Sequence, residues 1–114
     1  MEKSSYVLKF NDVSALEANI YADELKSRLT YASDKIEVKR KKDDPNSQDL
    51  GGTLVLILGA PSVVVIARAI AKWLALRHSA SIRIETIEGK VIANNITSSD
   101  ATRIAELFRG SRRT

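Results

Sequence analysis

The 114 residues contain no cysteine, which excludes disulfide staples, thiol nucleophiles and thiolate metal sites together. Histidine occurs once, at His78, and a single imidazole without a thiolate cannot build an ordinary tetrahedral zinc site. At the end of a helical segment such a histidine reads as a cation placed against the negative helix pole rather than as a general base. Nucleophilic catalysis needs an activated Ser, Cys or Lys beside a base, and no such constellation occurs in the chain. Of the five glycines, Gly51, Gly52 and Gly59 do not fall into the GxxxxGK[ST] spacing of a phosphate loop; they read as punctuation around a buried segment. Asp43 and Asp44 are adjacent carboxylates without further ligands at regular spacing, and read as solvated. The chain is therefore expected not to be an enzyme, with no catalytic residue, no metal and no cofactor.

Long hydrophobic runs are also lacking. Residues 53–67 carry no charge, but a spanning helix needs roughly 20 apolar residues. Gly59-Ala60-Pro61 interrupts the run, and Arg68 and Lys72 close it. A charge near a bilayer centre costs about 2.5–3.5 kcal/mol on insertion scales, so the segment reads as a core element and a membrane is not an expected partner. The N-terminal MEKSSYVLKF has no apolar h-region, so no signal peptide is expected. Together with the missing cysteines this points to the cytoplasm.

What is present has globular proportions, with 44% hydrophobic and 28% charged residues and a net charge of +4. One domain is expected over residues 1–114, able to bury about two-thirds of the surface exposed by the unfolded chain. Residues 43–52 form a polar, turn-rich loop expected to be mobile, and residues 111–114 a frayed basic tail.

Residues 51–77, GGTLVLILGAPSVVVIARAIAKWLALR, are the most apolar stretch. Pro61 suits a first helical position. After it Val63, Ile66, Ala67, Ile70, Trp73 and Leu74 recur at helical spacing, with Arg68, Lys72 and Ala75 opposite. Residues 53–58 fit either a buried strand or a helical segment kinked at Gly59-Pro61; leucine outnumbers β-branched residues, which tips the expectation to helix.

Around this centre, Tyr6, Leu8 and Phe10 alternate as in a strand. Ser14-Ala-Leu-Glu17 has the form of a capping box opening a helix to about Ala32, with Ala18, Tyr21, Leu25, Leu29 and Ala32 as its apolar stripe. Residues 35–41 alternate as a half-exposed strand. Residues 81–87 and 90–96 flank Glu88-Gly89 as a hairpin. A helix capped within Ser98-Ser99-Asp100 buries Ala101, Ile104, Ala105 and Phe108. The order β-α-β-α-β-β-α predicts an α+β domain: a mixed sheet of about four strands with helices mainly on one face.

The basic run Lys39, Arg40, Lys41 and Lys42 is the charge cluster to weigh, and with Arg109, Arg112 and Arg113 it could form a patch for nucleic acid or acidic lipid. No aromatic residue interleaves it, as a base-stacking platform requires, and Asp43 and Asp44 follow at once. Nucleic acid is accordingly not the expected partner, although a small basic nucleic-acid- or acidic-surface-binding module is the alternative reading. With Arg68 and Lys72 of the central helix, these four are the candidate partner-binding residues. Exposed edge strands leave self-association open.

The string G-T-L-V-L-I-L-G-A-P-S-V-V-V-I-A-R-A-I-A-K-W-L, residues 52–74, resembles the signature of the effector-associated constant component family of bacterial conflict systems. There a G-T-L-x-L-x-L-G-x-P core precedes an A-R-A-[LI]-A-x-W-L helix, a hairpin and a short closing helix. The resemblance covers residues 51–108. Residues 74–78, Leu-Ala-Leu-Arg-His, are less arginine-rich than the family pattern. The resemblance implies a non-catalytic adaptor coupling a sensor or signalling NTPase to an effector such as a caspase-like or trypsin-like peptidase or a TIR-type protein. It implies no catalytic positions.

Overall fold

The computed structural model describes residues 3–41, 52–77, 80–97 and 100–110. Lys3–Phe10 is a strand (β1) whose middle residues Tyr6, Val7 and Leu8 are buried on both faces. Ser14 caps the helix Ala15–Ala32 (α1): its Oγ accepts from the Glu17 N–H at 3.1 Å and lies 3.5 Å from Glu17 Oε1. Ala22, Leu25 and Leu29 are the fully buried residues of α1, whereas Ala32 is exposed. The charged alternating segment is Glu37–Lys41 (β2).

Residues 53–58 are not helical. Thr53–Gly59 is a strand (β3) lying between β2 and β1. Leu54, Leu56 and Leu58 are buried and Val55 and Ile57 half-buried; with apolar residues on both faces no polar residue shows period-two alternation, and such a strand looks like any apolar run.

A 3₁₀ turn, Ala60–Ser62, carries Pro61 straight into the helix Val63–Leu76 (α2). Ile82–Thr86 (β4) and Val91–Ile96 (β5) form the expected hairpin. Gly89 in its turn has φ +96°, the left-handed region where a side chain is strained. The helix Ala101–Gly110 (α3) follows, with Asp100 Oδ1 accepting from the N–H groups of Thr102 and Arg103 at 3.0 and 3.3 Å. Lys42, residues 43–51, His78, Ser98, Ser99 and the tail 111–114 lie outside the described residues.

The fold is α+β with helices packed on a sheet, in the order β2-β3-β1-β4-β5. Among the described residues the sheet has five strands rather than four, and every neighbouring pair is antiparallel rather than mixed. The reason is where β3 goes. It separates β1 from β2, and β1 separates β3 from β4, so each helical crossover joins two strands of the same sense with an antiparallel strand between them. Two interleaved units of this kind make the split β-α-β, ferredoxin-like arrangement, to which β5 and α3 are appended. That arrangement hosts many unrelated functions and does not by itself select one.

All three helices cover one face of the sheet. Tyr6 meets Phe108 of α3 edge-on at 4.9 Å between centroids, and Phe10 meets Tyr21 of α1 at 5.8 Å and Trp73 of α2 at 5.5 Å. Tyr6 and Phe10 lie on the same side of β1, as residues four apart in a strand must. The opposite face presents Val7, Val55 and Ile57 among charged residues. Glu85 is buried there, 3.7 Å from Lys9 Nζ and 2.7 Å from Arg83 Nε.

Candidate functional site: a groove between α1 and α2

The two crossovers run α1 and α2 in opposite senses across the sheet. Between their outward flanks lies a groove of about 990 Å³, bounded by Glu24, Arg28 and Tyr31 of α1 and by Val65, Arg68, Ala69, Lys72, Trp73 and Leu76 of α2, with Arg77 just beyond. Trp73 and Ala69 are its buried floor, and Leu76 is 62% exposed. Five of the six aromatic residues are engaged in ring contacts within the fold; the sixth, Tyr31, is 94% exposed at the groove.

One end of the groove is held by a compact polar cluster. Arg77 donates through Nε to Glu24 Oε1 at 3.1 Å and through Nη2 to Glu24 Oε2, while Trp73 Nε1 lies 3.4 Å from Glu24 Oε1. The Arg77 guanidinium also sits over the Tyr21 ring, 5.5 Å from its centroid. The Arg77 hydrogen bond holds the Glu24 carboxyl below its ordinary value of 4.5. The Trp73 hydrogen bond and the charges of Arg77 and Arg28 assist, and partial burial opposes them. Arg77 is correspondingly raised, first by its hydrogen bond to Glu24.

A carboxylate with a depressed pKa when folded stabilises the fold fully above its unfolded pKa, and this contribution disappears as pH falls through the folded pKa. In E24Q, the drop in urea midpoint between about pH 6 and about pH 3 is expected to be smaller than in the parent protein. The difference is modest, because solvent screens a pair whose side chains remain 35% and 40% exposed. Equal drops in both proteins would remove Glu24 as a source of acid sensitivity.

The groove is electropositive. Its lining holds four cations, Arg28, Arg68, Lys72 and Arg77, against the single carboxylate of Glu24. Glu24 is engaged by Arg77, and no ion pair among the described residues involves Arg28, Arg68 or Lys72.

The residues expected to bind a partner are not gathered into one site. Arg68 and Lys72 both line the groove. Lys39 and Lys41 lie on the other side of the molecule, opposite Val55 and Thr53 on the helix-free face of the sheet. Arg40 is turned to the helix side between them. Its Nη2 donates to Asn19 Oδ1 at 2.6 Å, its Nη1 is 4.0 Å from Asp23, and its side chain is only 11% exposed. It ties β2 to α1 and is not part of a free basic patch. No aromatic residue stands on the helix-free face among the described residues, so Lys39 and Lys41 have no stacking surface beside them.

Tyr31, Leu76 and Arg28 were absent from the sequence-based candidates. Tyr31 falls off the apolar stripe of α1, and an aromatic ring on the polar side of an amphipathic helix was the available signal.

No protein-family model, curated protein or solved structure matches this chain. No helix among the described residues is long and apolar enough to cross a membrane, and no group of three or more His, Asp or Glu among them could hold a metal ion.

Proposed function

We propose that the chain is a non-catalytic protein-interaction module, the adaptor role implied by the resemblance of residues 51–108, acting between a sensor or signalling NTPase and an effector of peptidase or TIR type. The observation that carries the docking reading is the groove between α1 and α2. It combines a fully exposed aromatic ring, an exposed leucine and three cations that form no ion pair among the described residues. Aromatic and arginine side chains supply most of the hot spots at protein interfaces, and here both stand on one concave surface.

The test is co-purification from cells of the natural source, with recovered proteins identified by mass spectrometry. The parent protein is expected to bring down an identified NTPase or effector. L76E, at a position whose exposure leaves the core untouched, is expected to reduce that recovery by about tenfold or more. Circular dichroism of the variant should be unchanged. Recovery of neither class of protein would refute the adaptor role, and recovery insensitive to L76E would refute the groove as its docking surface.

A further inference from the structure

We infer that the groove takes an acidic amphipathic helix, laid along α2 with its apolar side down and its carboxylates on Arg28, Arg68 and Lys72. This rests on the docking reading above and specifies the chemistry of the partner. Three features converge on it.

The first is charge. Three of the groove's four cations form no ion pair among the described residues, and its one carboxylate already accepts from Arg77. A neutral or basic occupant would leave Arg68 and Lys72 unopposed and Arg28 facing only a Glu24 already bound to Arg77, while an acidic one completes all three.

The second is spacing. Arg68 and Lys72 are four residues apart on one helix, which places their stems about 6 Å from one another along the axis. Glutamates at i and i+4 of a second helix repeat at the same interval. A helix crossing α2 at the shallow angle of about 20° common in bundles can therefore match both cations at once.

The third is shape. Val65, Ala69 and Trp73 recur every four residues along the floor. The short side chain of Ala69 between two larger ones leaves room for an apolar knob from an approaching helix. From Val65 to the Arg77 end the groove runs about 18 Å along α2, enough for about three turns of partner helix. A bilayer offers the same negative charge but is flat on this scale and cannot reach a floor recessed between two helices.

The experiment uses a fluorescein-labelled synthetic peptide of about 14 residues, with leucine at helical i, i+3, i+4 and i+7 and glutamate on the flanks. A matched peptide carries lysine for every glutamate. Anisotropy is expected to show saturable binding of the acidic peptide to the parent protein, weakened by raising salt from about 0.05 to about 0.5 M. In the double variant Arg68→Glu, Lys72→Glu, affinity for the acidic peptide falls by about tenfold or more, and preference reverses to the lysine peptide. Both substituted positions are exposed on α2, so the fold persists, as circular dichroism would verify.

Failure of the acidic peptide to bind, equal binding of both peptides, or unchanged affinity in the double variant would overturn the inference. So would binding to anionic phosphatidylglycerol vesicles that the same variant abolishes while peptide binding is absent. The co-purification assay separates this failure from that of the broader reading. A natural partner lost in L76E but retained by the charge-reversed protein keeps the docking groove and rejects an acidic occupant. A partner retained by both variants rejects the groove itself.

Discussion

Trp73→Ala is expected to cost about 3–5 kcal/mol of folding stability, the range for truncating a large buried aromatic side chain. That is a third or more of the stability of many domains of this size. Trp73 is 1% exposed and stands where β1, α1 and α2 meet. Its ring lies 5.5 Å from that of Phe10 and 5.2 Å from that of Tyr21. Removing the indole leaves a cavity that Phe10 and Tyr21 cannot close without moving the strand and helix that carry them. It also takes away the Nε1 donor facing Glu24. Trp73→Phe keeps a ring in the junction and loses that long, half-exposed hydrogen bond with part of the volume, so its cost should be clearly smaller, about 1–2 kcal/mol. Urea denaturation followed by circular dichroism measures both. A cost below about 1 kcal/mol for Trp73→Ala would show that the junction is not packed as described.

Gly52→Ala should destabilise by about 2–3 kcal/mol, lowering the melting temperature by about 10 °C. A Cβ at residue 52 would stand 2.4 Å from the Cβ of Ala18, 3.0 Å from its carbonyl carbon and 3.2 Å from its Cα. Two of these three atoms are backbone, so no rotamer change relieves the contact. Either α1 lifts from the start of β3 or the strand shifts, and the shift propagates to Leu54, buried between Leu8 of β1 and Arg40 of β2. The close approach predicts a coupling that an ordinary glycine effect would lack. Ala18→Gly alone weakens the helix by about 1 kcal/mol, yet in that background Gly52→Ala should cost at least about 1 kcal/mol less than in the parent protein. Additive costs in the double-mutant cycle would place the burden of Gly52→Ala on backbone freedom and away from Ala18.

Gly52 also shows where reading a sequence reaches its limit. As one of a Gly-Gly pair before an apolar run it looked like punctuation. Its buried position against Ala18, over thirty residues earlier, depends on a helix–strand approach that no local pattern encodes. Arg40 is a second case. Its place in a basic run suggested a shared surface with Lys39 and Lys41, but strand alternation sends it to the opposite face, onto Asn19 and Asp23. By contrast, local rules were sufficient for the Ser14 cap and the buried stripes of α2 and α3. They also located the hairpin turn at Gly89, because capping bonds, helical periodicity and left-handed turns are satisfied within a few residues.

The amino-acid order alone established an α+β chain with its most apolar segment at the centre, helices amphipathic enough to lie on a sheet, and two cations, Arg68 and Lys72, left on the outer side of the main helix. Only the tertiary structure made residues 53–58 a central strand. The leucines face the helices while Val55 and Ile57, equally apolar, face the other side, so no polar residue marks the alternation, and the choice fell to the pairing offered by β1 and β2. Tertiary structure also set Tyr31, Arg28 and Leu76 beside Arg68 and Lys72. These residues come from two helices brought side by side by interleaved crossovers, and separations of that kind are bridged by packing rather than by sequence proximity.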